Sequence, residues 1–166
     1  MVPPEEISTG FISLKVTNPK EIGKLTSLIH DEYFEVNDVK YRLEQGTVEI
    51  PYHRIFHNGP RRTVRDWLFY KVQEVDVIRS KMLIHHVEEF TVDDPDKVQI
   101  TRGTLAFSGV VYDPGNSTLW VESDTNLELT MKISHILIES QDLEIRGKSR
   151  ISFFFFIEST SGRVYY

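Results

Sequence analysis

Apolar and polar residues alternate along most of the chain after residue 31, with the period of two that is expected of β-strands burying one face. The clearest alternation spans residues 127–133, where the positions between the apolar residues are polar. The apolar positions are Leu127, Leu129, Met131 and Ile133. This pattern predicts a strand with one face toward the core and the other toward water.

Two pairs of alternating segments are joined by turn-forming residues and predict β-hairpins. Residues 39–43 and 48–52 flank a turn that ends at Gly46, and residues 105–112 and 119–121 flank a turn containing Pro and a Gly-Asn pair. Gly, Asn and Pro supply the backbone angles that a short chain reversal needs. The two hairpins predict an antiparallel sheet.

The N-terminal region carries the one strong helix pattern. Residues 11–16 alternate like a strand, and Asn18, Pro19 and Glu21 then fit the N-cap, first and third positions of a helix. An apolar stripe follows at helical spacing, formed by Ile22, Leu25, Leu28 and Ile29. We expect this helix to pack its stripe against the sheet.

Four segments have less regular patterns. Pro51 cannot donate a ladder hydrogen bond, which predicts that its strand lies at an edge or ends there. Residues 53–66 contain Asn-Gly-Pro followed by three arginines and predict a long irregular loop. Residues 67–92 predict two strands that meet near residues 79–81, and the change of apolar parity near Ser140 predicts a β-bulge or a break.

The last predicted strand, residues 151–157, is apolar on both faces. Such a strand needs a cover on each face, because an exposed apolar strand is prone to aggregate. We expect the N-terminal helix on one face and a second sheet or a second copy of the chain on the other. The strand around Phe153 and Phe155 is therefore the candidate surface for a homo-oligomer.

The composition fits a single folded domain covering residues 1–166. The chain is 40% hydrophobic and 27% charged, values typical of globular proteins. Together with the patterns above, this predicts an α+β fold dominated by β-structure. We expect antiparallel sheets, as a two-layer sandwich or a curled half-barrel, with one N-terminal helix.

The charge and the residue types argue against several classes of protein. A formal net charge of −6 disfavours binding to nucleic acid or to an anionic membrane. The lack of cysteine excludes disulfide scaffolds, zinc–thiolate sites and iron–sulfur clusters. Residues 1–8 lack the regions of a secretory signal, and the longest apolar run has five residues. We therefore expect a cytoplasmic protein with no membrane contact.

One basic cluster stands out in this acidic chain. Residues 51–65 contain no acidic side chain, and their arginines and histidines are interleaved with aromatic residues. Arginine with aromatic residues is the composition of binding hot spots and of stacking surfaces. We expect a site for an unknown protein or a small anionic ligand, formed by Arg54, His57, Arg61, Arg62, Arg65 and Trp67. The alternative is that these arginines pair with the chain's own surplus carboxylates.

No metal-binding pattern is complete, and we expect neither a bound metal nor a cofactor. His30 precedes an aspartate as in metal-dependent phosphohydrolases, but that family is almost wholly helical. His53 and His57 have the spacing of a helical zinc pair, yet the prolines around them leave almost no helix. These three histidines are the metal candidates. Asp94, followed by proline, predicts a cap on a short helical turn.

Sequence signatures of common enzymes are also missing. The chain has no G-x-S-x-G elbow, phosphate loop, dinucleotide-binding glycine pattern or H-E-x-x-H. We therefore expect a non-catalytic protein-interaction or ligand-binding module. Two alternatives stay open: a metal-dependent hydrolase using scattered His and Asp residues, and an acidic immunity-type or inhibitor protein that binds a basic partner.

From Leu28 to Phe34 the chain reads Leu-Ile-His-Asp-Glu-Tyr-Phe, and alternating hairpins follow. Over residues 25–140 this arrangement resembles small, largely uncharacterised bacterial β-rich proteins, grouped as a domain of unknown function, whose first helix ends in a similar His-Asp pair. The resemblance implies a β-rich fold. It implies no activity and no functional residue.

Overall fold

The computed structural model of the chain describes residues 11–57, 59–67, 70–154 and 157–160, with side-chain surroundings up to Ile151. Its strands are β1 (Ser13–Val16), β2 (Tyr33–Glu35), β3 (Lys40–Arg42), β4 (Thr47–Ile55), β5 (Arg61–Trp67), β6 (Tyr70–Ile84), β7 (Val87–Asp93), β8 (Thr104–Asp113), β9 (Thr118–Ser123), β10 (Glu128–Ile133), β11 (Ile138–Phe154) and β12 (Ile157–Thr160). Its helices are α1 (Ile22–Ile29) and the single turn α2 (Val98–Thr101), with 3-10 turns at Pro19–Glu21, Val36–Asp38 and Leu43–Gln45.

The described strands form one antiparallel sheet that curls without closing. Its main path runs β1-β11-β6-β4-β2-β8-β9-β10-β7, with β12 beside β11, β3 beside β4 and β5 beside β6. The curl brings the start of β7 back to the turn before β4, where the Val87 amide donates to the Gly46 carbonyl at 2.8 Å. The β-dominated fold with one N-terminal helix is thus confirmed, in the form of an open curled sheet.

Helix α1 fills the concave side of this sheet. The predicted N-terminal cap is present: the Asn18 side chain accepts from the Lys20 amide at 3.0 Å, and a 3-10 turn leads into α1. The helix buries Ile22, Leu25 and Ile29 against the strands. Strand residues in the same core include Val16, Phe34, Val48, Ile50, Met82, Ile84, Leu105, Phe107, Leu119, Val121, Leu129, Met131 and Ile138.

The expected irregular loop at residues 53–66 is largely strand. Strand β4 continues to Ile55 and β5 begins at Arg61, so the connection is confined to residues 56–60. Pro51 also lies in an interior strand and not in an edge strand. Its position falls between Glu49, the last β4 residue paired with β3, and Tyr52, the first paired with β2. On this side of β4 no described strand pairs with Pro51, so its missing amide donor leaves no ladder hydrogen bond unmade there. Proline is therefore tolerated in the interior of the sheet.

Residues 67–92 were expected to break near residues 79–81, but β6 is continuous from Tyr70 to Ile84. The mixed apolar phase there has a physical reason. Val75, Val77 and Ile78 are all buried, so both faces of β6 are covered at this point. The chain turns later, at His86, which has a left-handed φ of 56°.

Strand β11 carries the irregularity predicted near Ser140, a few residues further on. Its pairing with β6 shifts between Asp142 and Glu144 and again between Ile145 and Lys148. Each extra residue reverses which face the following side chains occupy. The bulges let one strand serve two regions with different surroundings.

Candidate functional site

Strands β6 and β11 form a ribbon that extends past the hydrophobic core. In one half of the ribbon β6 pairs with β4 and β11 with β1, and in the other half β6 pairs with β5 and β11 with β12. We call the second half, residues 61–75 and 148–160, the arm, and the rest of the described chain the body. The main core lies in the body. Described arm residues join a small cluster, in which Val75 and Ile151 meet Ile55.

A bulge in β5 places three predicted site residues on one face of the arm. Arg62, Arg65 and Trp67 pair with alternate residues of β6, because the register shifts between Thr63 and Arg65. In a regular strand, residues three apart point to opposite faces. The extra residue brings Arg62 and Arg65 to the same face.

Strand β11 adds two more cations to this face. Lys148 pairs with Asp76, and Arg150 pairs with Glu74. Asp76 and Glu74 lie on the face of β6 that also carries the partners of Arg62, Arg65 and Trp67. The register shift before Lys148 sets this orientation, and Gly147 within it has a φ of 100°. A glycine suits this backbone because a Cβ atom would strain it. We call Arg62, Arg65, Trp67, Lys148 and Arg150 the basic face.

Glu74 lies at the centre of the basic face. Its carboxylate accepts from Arg62 Nη2 and lies 3.4 Å from Lys148 Nζ, while its side chain is only 8% exposed. Burial alone would raise the pKa of Glu74, but the hydrogen bonds and charges of Arg62 and Lys148 outweigh it and lower the pKa. Glu74 thus stays ionised at neutral pH and holds these two cations in place.

A groove of about 510 Å³ runs beside this carboxylate. It is lined by Arg62, Glu74, Asp76, Ile145, Gly147 and Lys148. A second depression of about 170 Å³ extends it toward Pro60 and Arg61. The lining is mixed in charge and open to solvent, which suits an extended polar ligand better than an enclosed apolar one.

Two arginines of the basic face remain available. Arg65 and Arg150 are exposed and form no ion pair with any residue that the structure describes. On the same face, Trp67 is 67% exposed. Tryptophan and arginine together are a common composition at the centre of binding surfaces.

The charges of the whole chain are segregated between the two regions. By sequence, the arm holds six basic and three acidic side chains, a net charge of +3. Because the chain totals −6, all remaining residues together carry −9. The overall acidity that argues against anionic partners is therefore a property of the body, and the arm has the opposite sign.

Arg54, also predicted for the site, lies apart from the basic face in the body interior. It is 7% exposed, and its Nε donates to Asp142 Oδ1 at 2.9 Å while its Nη2 donates to Oδ2. Burial alone would lower the pKa of Arg54, but its contacts with Asp142 raise it above the usual value. This arginine is fully engaged in a structural ion pair and is unavailable to a ligand.

The same carboxylate accepts hydrogen bonds from β6 and from the residue just before β1. Ser80 Oγ donates to Asp142 Oδ1 and the Ile12 amide donates to Oδ2, both at 2.7 Å. Next to it, Tyr52 and Ser140 share a hydrogen bond of 2.6 Å, and burial raises the pKa of Tyr52 to about 12. The network is buried and its groups are paired, so it ties β1, β4, β6 and β11 together.

His57 and Arg61 stand at the base of the arm. His57 is exposed just after β4, and Arg61 Nη2 reaches its carbonyl at 3.5 Å. Arg61 pairs with Val75, so it points to the face opposite Arg62. Of the six predicted residues, the structure gathers Arg62, Arg65 and Trp67.

The histidines do not gather into a metal site. In the described part of the chain, no three His, Cys, Asp or Glu residues are grouped so that they could hold a metal ion. His30 is the C-cap residue of α1, and its Nδ1 lies 3.1 Å from Oδ2 of the neighbouring Asp31. The Asp94 cap is confirmed, because its carboxylate accepts from the Val98 and Gln99 amides at 2.8 and 3.1 Å.

Sequence reasoning missed Lys148 and Arg150, which lie more than 80 residues from Arg65 along the chain. Arg146, Lys148 and Arg150 alternate at period two, a signal that would have marked a basic strand face. Pairing with β6 then brings two of these residues beside the arginines of β5. The Phe155 residue and the side chain of Phe153, predicted to support self-association, lie outside the described residues.

Comparisons with known proteins add no further constraint on the site. No family model, curated protein or solved structure matches the chain. The resemblance to bacterial β-rich proteins therefore stays a prediction. Within the described residues, no helix is long and apolar enough to cross a membrane.

Proposed function

We propose that the chain is a non-catalytic binding module whose basic face binds an anionic partner. The observation that carries this proposal is the gathering of four cations and an exposed tryptophan on one face of a projecting sheet. The residues come from two strands that are distant in sequence, and both depend on a bulge for their orientation.

The internal charge balance of the face leaves room for a ligand. Glu74 offsets the charges of Arg62 and Lys148, whereas Arg65 and Arg150 have no such counterion among the described residues. An anion spanning this face would meet two arginines that lose no internal ion pair on binding. Such complementarity raises the association rate and makes binding sensitive to salt.

The chemistry of the groove also supports binding rather than catalysis. Glu74 is ionised and accepts from two cations, which makes it a poor proton donor and a weak base. General acid-base catalysis requires a group whose pKa lies near the working pH. The lowered pKa of Glu74 moves it away from that range.

A soluble polyanion tests the proposal directly. We expect the full chain to bind a fluorescent poly-glutamate peptide, measured by anisotropy, with an affinity that falls as salt rises. The double variant Arg65→Gln/Arg150→Gln should weaken binding by about tenfold or more, since both arginines would face the anion.

A matched control removes the same charge from the body. Arg42 and Arg102 lie outside the arm, and each has an acidic neighbour, Glu49 and Asp124. The variant Arg42→Gln/Arg102→Gln should keep the affinity within about twofold, because these charges lie beyond the contact. Equal losses in both double variants would contradict the proposal, since net charge alone would then explain binding.

A second candidate function follows from the acidic body. The terminal strand β7 carries Glu88, Glu89 and Asp93, all exposed, and pairs only with β10 among the described strands. This favours the inhibitor-type alternative, in which an acidic edge captures a basic protein. Association with poly-lysine that is lost in Glu88→Gln/Glu89→Gln, and kept in Arg65→Gln/Arg150→Gln, would select this candidate.

A further inference from the structure

The outer side of strands β9, β10 and β7 carries three carboxylates in one row. Glu122 of β9 pairs with Glu128 of β10, and Glu128 pairs with Asp93 of β7. The neighbouring Val121 and Leu129 are buried in the core, so these carboxylates lie on the side facing away from it. Like charges directly opposite each other on adjacent strands destabilise a sheet. The row is therefore unfavourable in the isolated chain unless a cation offsets it.

No cation in the described part of the chain offsets this row. None of the three carboxylates forms an ion pair with a described residue. Lys132 is the one basic residue in the sequence of strands β7 to β10, and it stands opposite Glu89 instead. The row is also unsuited to a metal ion, because the described residues contain no group of three that could hold one. It fits cations that arrive singly, at the spacing of the strands.

An apolar centre lies beside the carboxylates. Trp120 is two residues before Glu122, on the same side of β9, and is partly exposed. Its register partner in β8 is Val111, which is 44% exposed. A tryptophan ring contacts apolar groups and also attracts arginine and lysine through cation–π interactions. We call Val111, Trp120, Glu122, Glu128 and Asp93 the acidic face.

The basic face has the same spacing with the opposite charge. Arg62 and Arg150 both pair with Glu74, so two strand spacings separate them. The outer carboxylates of the acidic face flank Glu128 in the same way. Two strand spacings amount to about 10 Å in each region. The outer cations of one face can therefore lie over the outer carboxylates of the other.

Acidic side chains of the arm leave the two unpaired arginines of the basic face accessible. Glu74 is held by the two cations that contact it. Asp66 directly follows Arg65 in β5, so its side chain points to the other face of the strand. Asp76 stands opposite Lys148, at the body end of the basic face. The free positive charge thus lies where a facing row of carboxylates would meet it.

Within one chain the two faces do not meet. Strands β4, β2 and β8 lie between the β11–β6 ribbon and strands β9, β10 and β7 along the sheet. Among the described residues, no ion pair joins the basic face to the acidic face. Each face therefore carries charges that its own chain leaves unpaired and that a second copy would match in sign and spacing.

We infer that the anionic partner of the basic face is the acidic face of a second copy of this chain. This inference rests on the proposed function, since it names the partner of the same face. The two faces are different surfaces, so the contact is head-to-tail. Each added copy still offers one free face, and the association continues into a chain or closes into a ring. The contact surface differs from the strand at residues 151–157, where the sequence predicted self-association.

Sedimentation velocity of the full chain tests the self-association. At about 50 mM salt the sedimentation coefficient should rise with protein concentration, and at about 500 mM salt this rise should be largely lost, because salt screens the opposite charges. Poly-glutamate should dissociate the assembly, since it competes for the basic face. The control variant Arg42→Gln/Arg102→Gln should associate like the unaltered chain.

Two variants that each lack one face give the sharpest test. Arg65→Gln/Arg150→Gln removes cations of the basic face, and Glu122→Gln/Glu128→Gln removes carboxylates of the acidic face. Each variant alone should self-associate at least about tenfold more weakly than the unaltered chain. Mixed in equal amounts, they should form a one-to-one dimer, because each supplies the face that the other lacks. This dimer should not grow, since both of its remaining faces are altered.

A matched control removes carboxylates that lie outside both faces. Asp38 and Glu44 are exposed, and Asp38→Asn/Glu44→Gln should associate like the unaltered chain. All the substituted side chains are at least partly exposed, and circular dichroism verifies that each variant is folded.

Each contrary outcome has a distinct meaning. Poly-glutamate binding by a chain that stays monomeric at low salt would overturn the second-copy inference and leave the proposed function standing. A mixture of the two face variants that stays monomeric would also overturn the inference, because the faces would not be each other's partners. So would self-association that survives Arg65→Gln/Arg150→Gln, since another contact would then be responsible. Absence of both self-association and poly-glutamate binding would overturn both proposals.

Discussion

The body and the arm share two strands but are held together differently. In the body, the inward residues of β6 and β11 are buried in the same hydrophobic core as the apolar residues of α1. In the arm, β11 carries exposed cations over one face, and β5 has mostly exposed side chains. Being in one sheet therefore does not give two regions the same stability or the same role.

The boundary between them is built into β11. Two register shifts lie between Asp142 and Lys148, so the face that buries Asp142 in the body continues as the face that displays Lys148 in the arm. The buried network ends at this point and the solvent-exposed charges begin. The polar groups around Asp142 in the body are paired with one another, whereas Arg65 and Arg150 of the arm form no ion pair with a described residue.

The largest difference between the regions should appear when their ion pairs are broken. Asp142→Ala leaves Arg54 buried without its counterion and removes acceptors from Ser80 and the Ile12 amide. We expect a loss of about 3–5 kcal/mol in the free energy of unfolding, measured with urea.

The control is an exposed ion pair whose carboxylate lies in the same strand as Asp142. Glu144 lies 3.0 Å from Arg79, and both side chains are more than one-third exposed. Glu144→Gln should cost about 1 kcal/mol or less. If the two variants were equally stable, the buried network would not be the element that secures the body.

Amide hydrogen exchange should separate the two halves of β6. Amides of residues 79–84 lie over the core, and those of residues 70–75 lie in the arm. We expect the first set to be protected by at least about 3 kcal/mol more, a factor of roughly 100 in exchange rate, because the arm opens without exposing the core. Equal protection would show that the arm unfolds only together with the body.

Backbone strain at the boundary should have a smaller effect. Gly147 has a φ of 100°, so Gly147→Ala should lower the free energy of unfolding by about 1–2 kcal/mol. Gly23 lies in α1 with open space around it, so Gly23→Ala should raise stability by about 0.5–1 kcal/mol. Urea unfolding measures both. A neutral Gly147→Ala would mean that the bulge relaxes and does not fix the Lys148 orientation.

Local patterns in the sequence predicted the elements that depend on neighbouring residues. The cap at Asn18, the hairpin turn at Gly46 and the alternation of residues 127–133 all report contacts within a few positions, and each is present in the structure. The β-rich class followed from these patterns alone.

The candidate site was only partly predictable, because its geometry arises from long-range pairing. Arg62, Arg65 and Trp67 were found through local composition, but nothing nearby in sequence indicates that Arg54 pairs with Asp142, 88 residues away. The bulge that aligns Arg62 with Arg65 has no strong sequence signature. Adding charges over the whole chain also hid the basic arm, since summation ignores position.

The smallest expected effect is a pH dependence at the junction of the two regions. His53 pairs with Arg79 of β6, and its pKa is lowered, first by partial burial and then by the charges of Arg146 and Arg79. The folded state therefore binds this proton less readily than the unfolded state, whose histidine pKa is about 6.5. The contribution of neutral His53 to stability is complete above that value and is lost as the pH falls through it toward the lowered folded pKa.

We expect the free energy of unfolding to decrease between about pH 7.5 and 5.5, with a smaller decrease in His53→Gln, which cannot take up the proton. Arg146→Gln should also reduce the decrease, because it removes one of the charges that oppose protonation of His53. Urea unfolding at several pH values measures both variants. If Arg146→Gln left the pH dependence of the unaltered chain intact, the charge of Arg146 would not act on His53, and partial burial together with Arg79 would account for the lowered pKa.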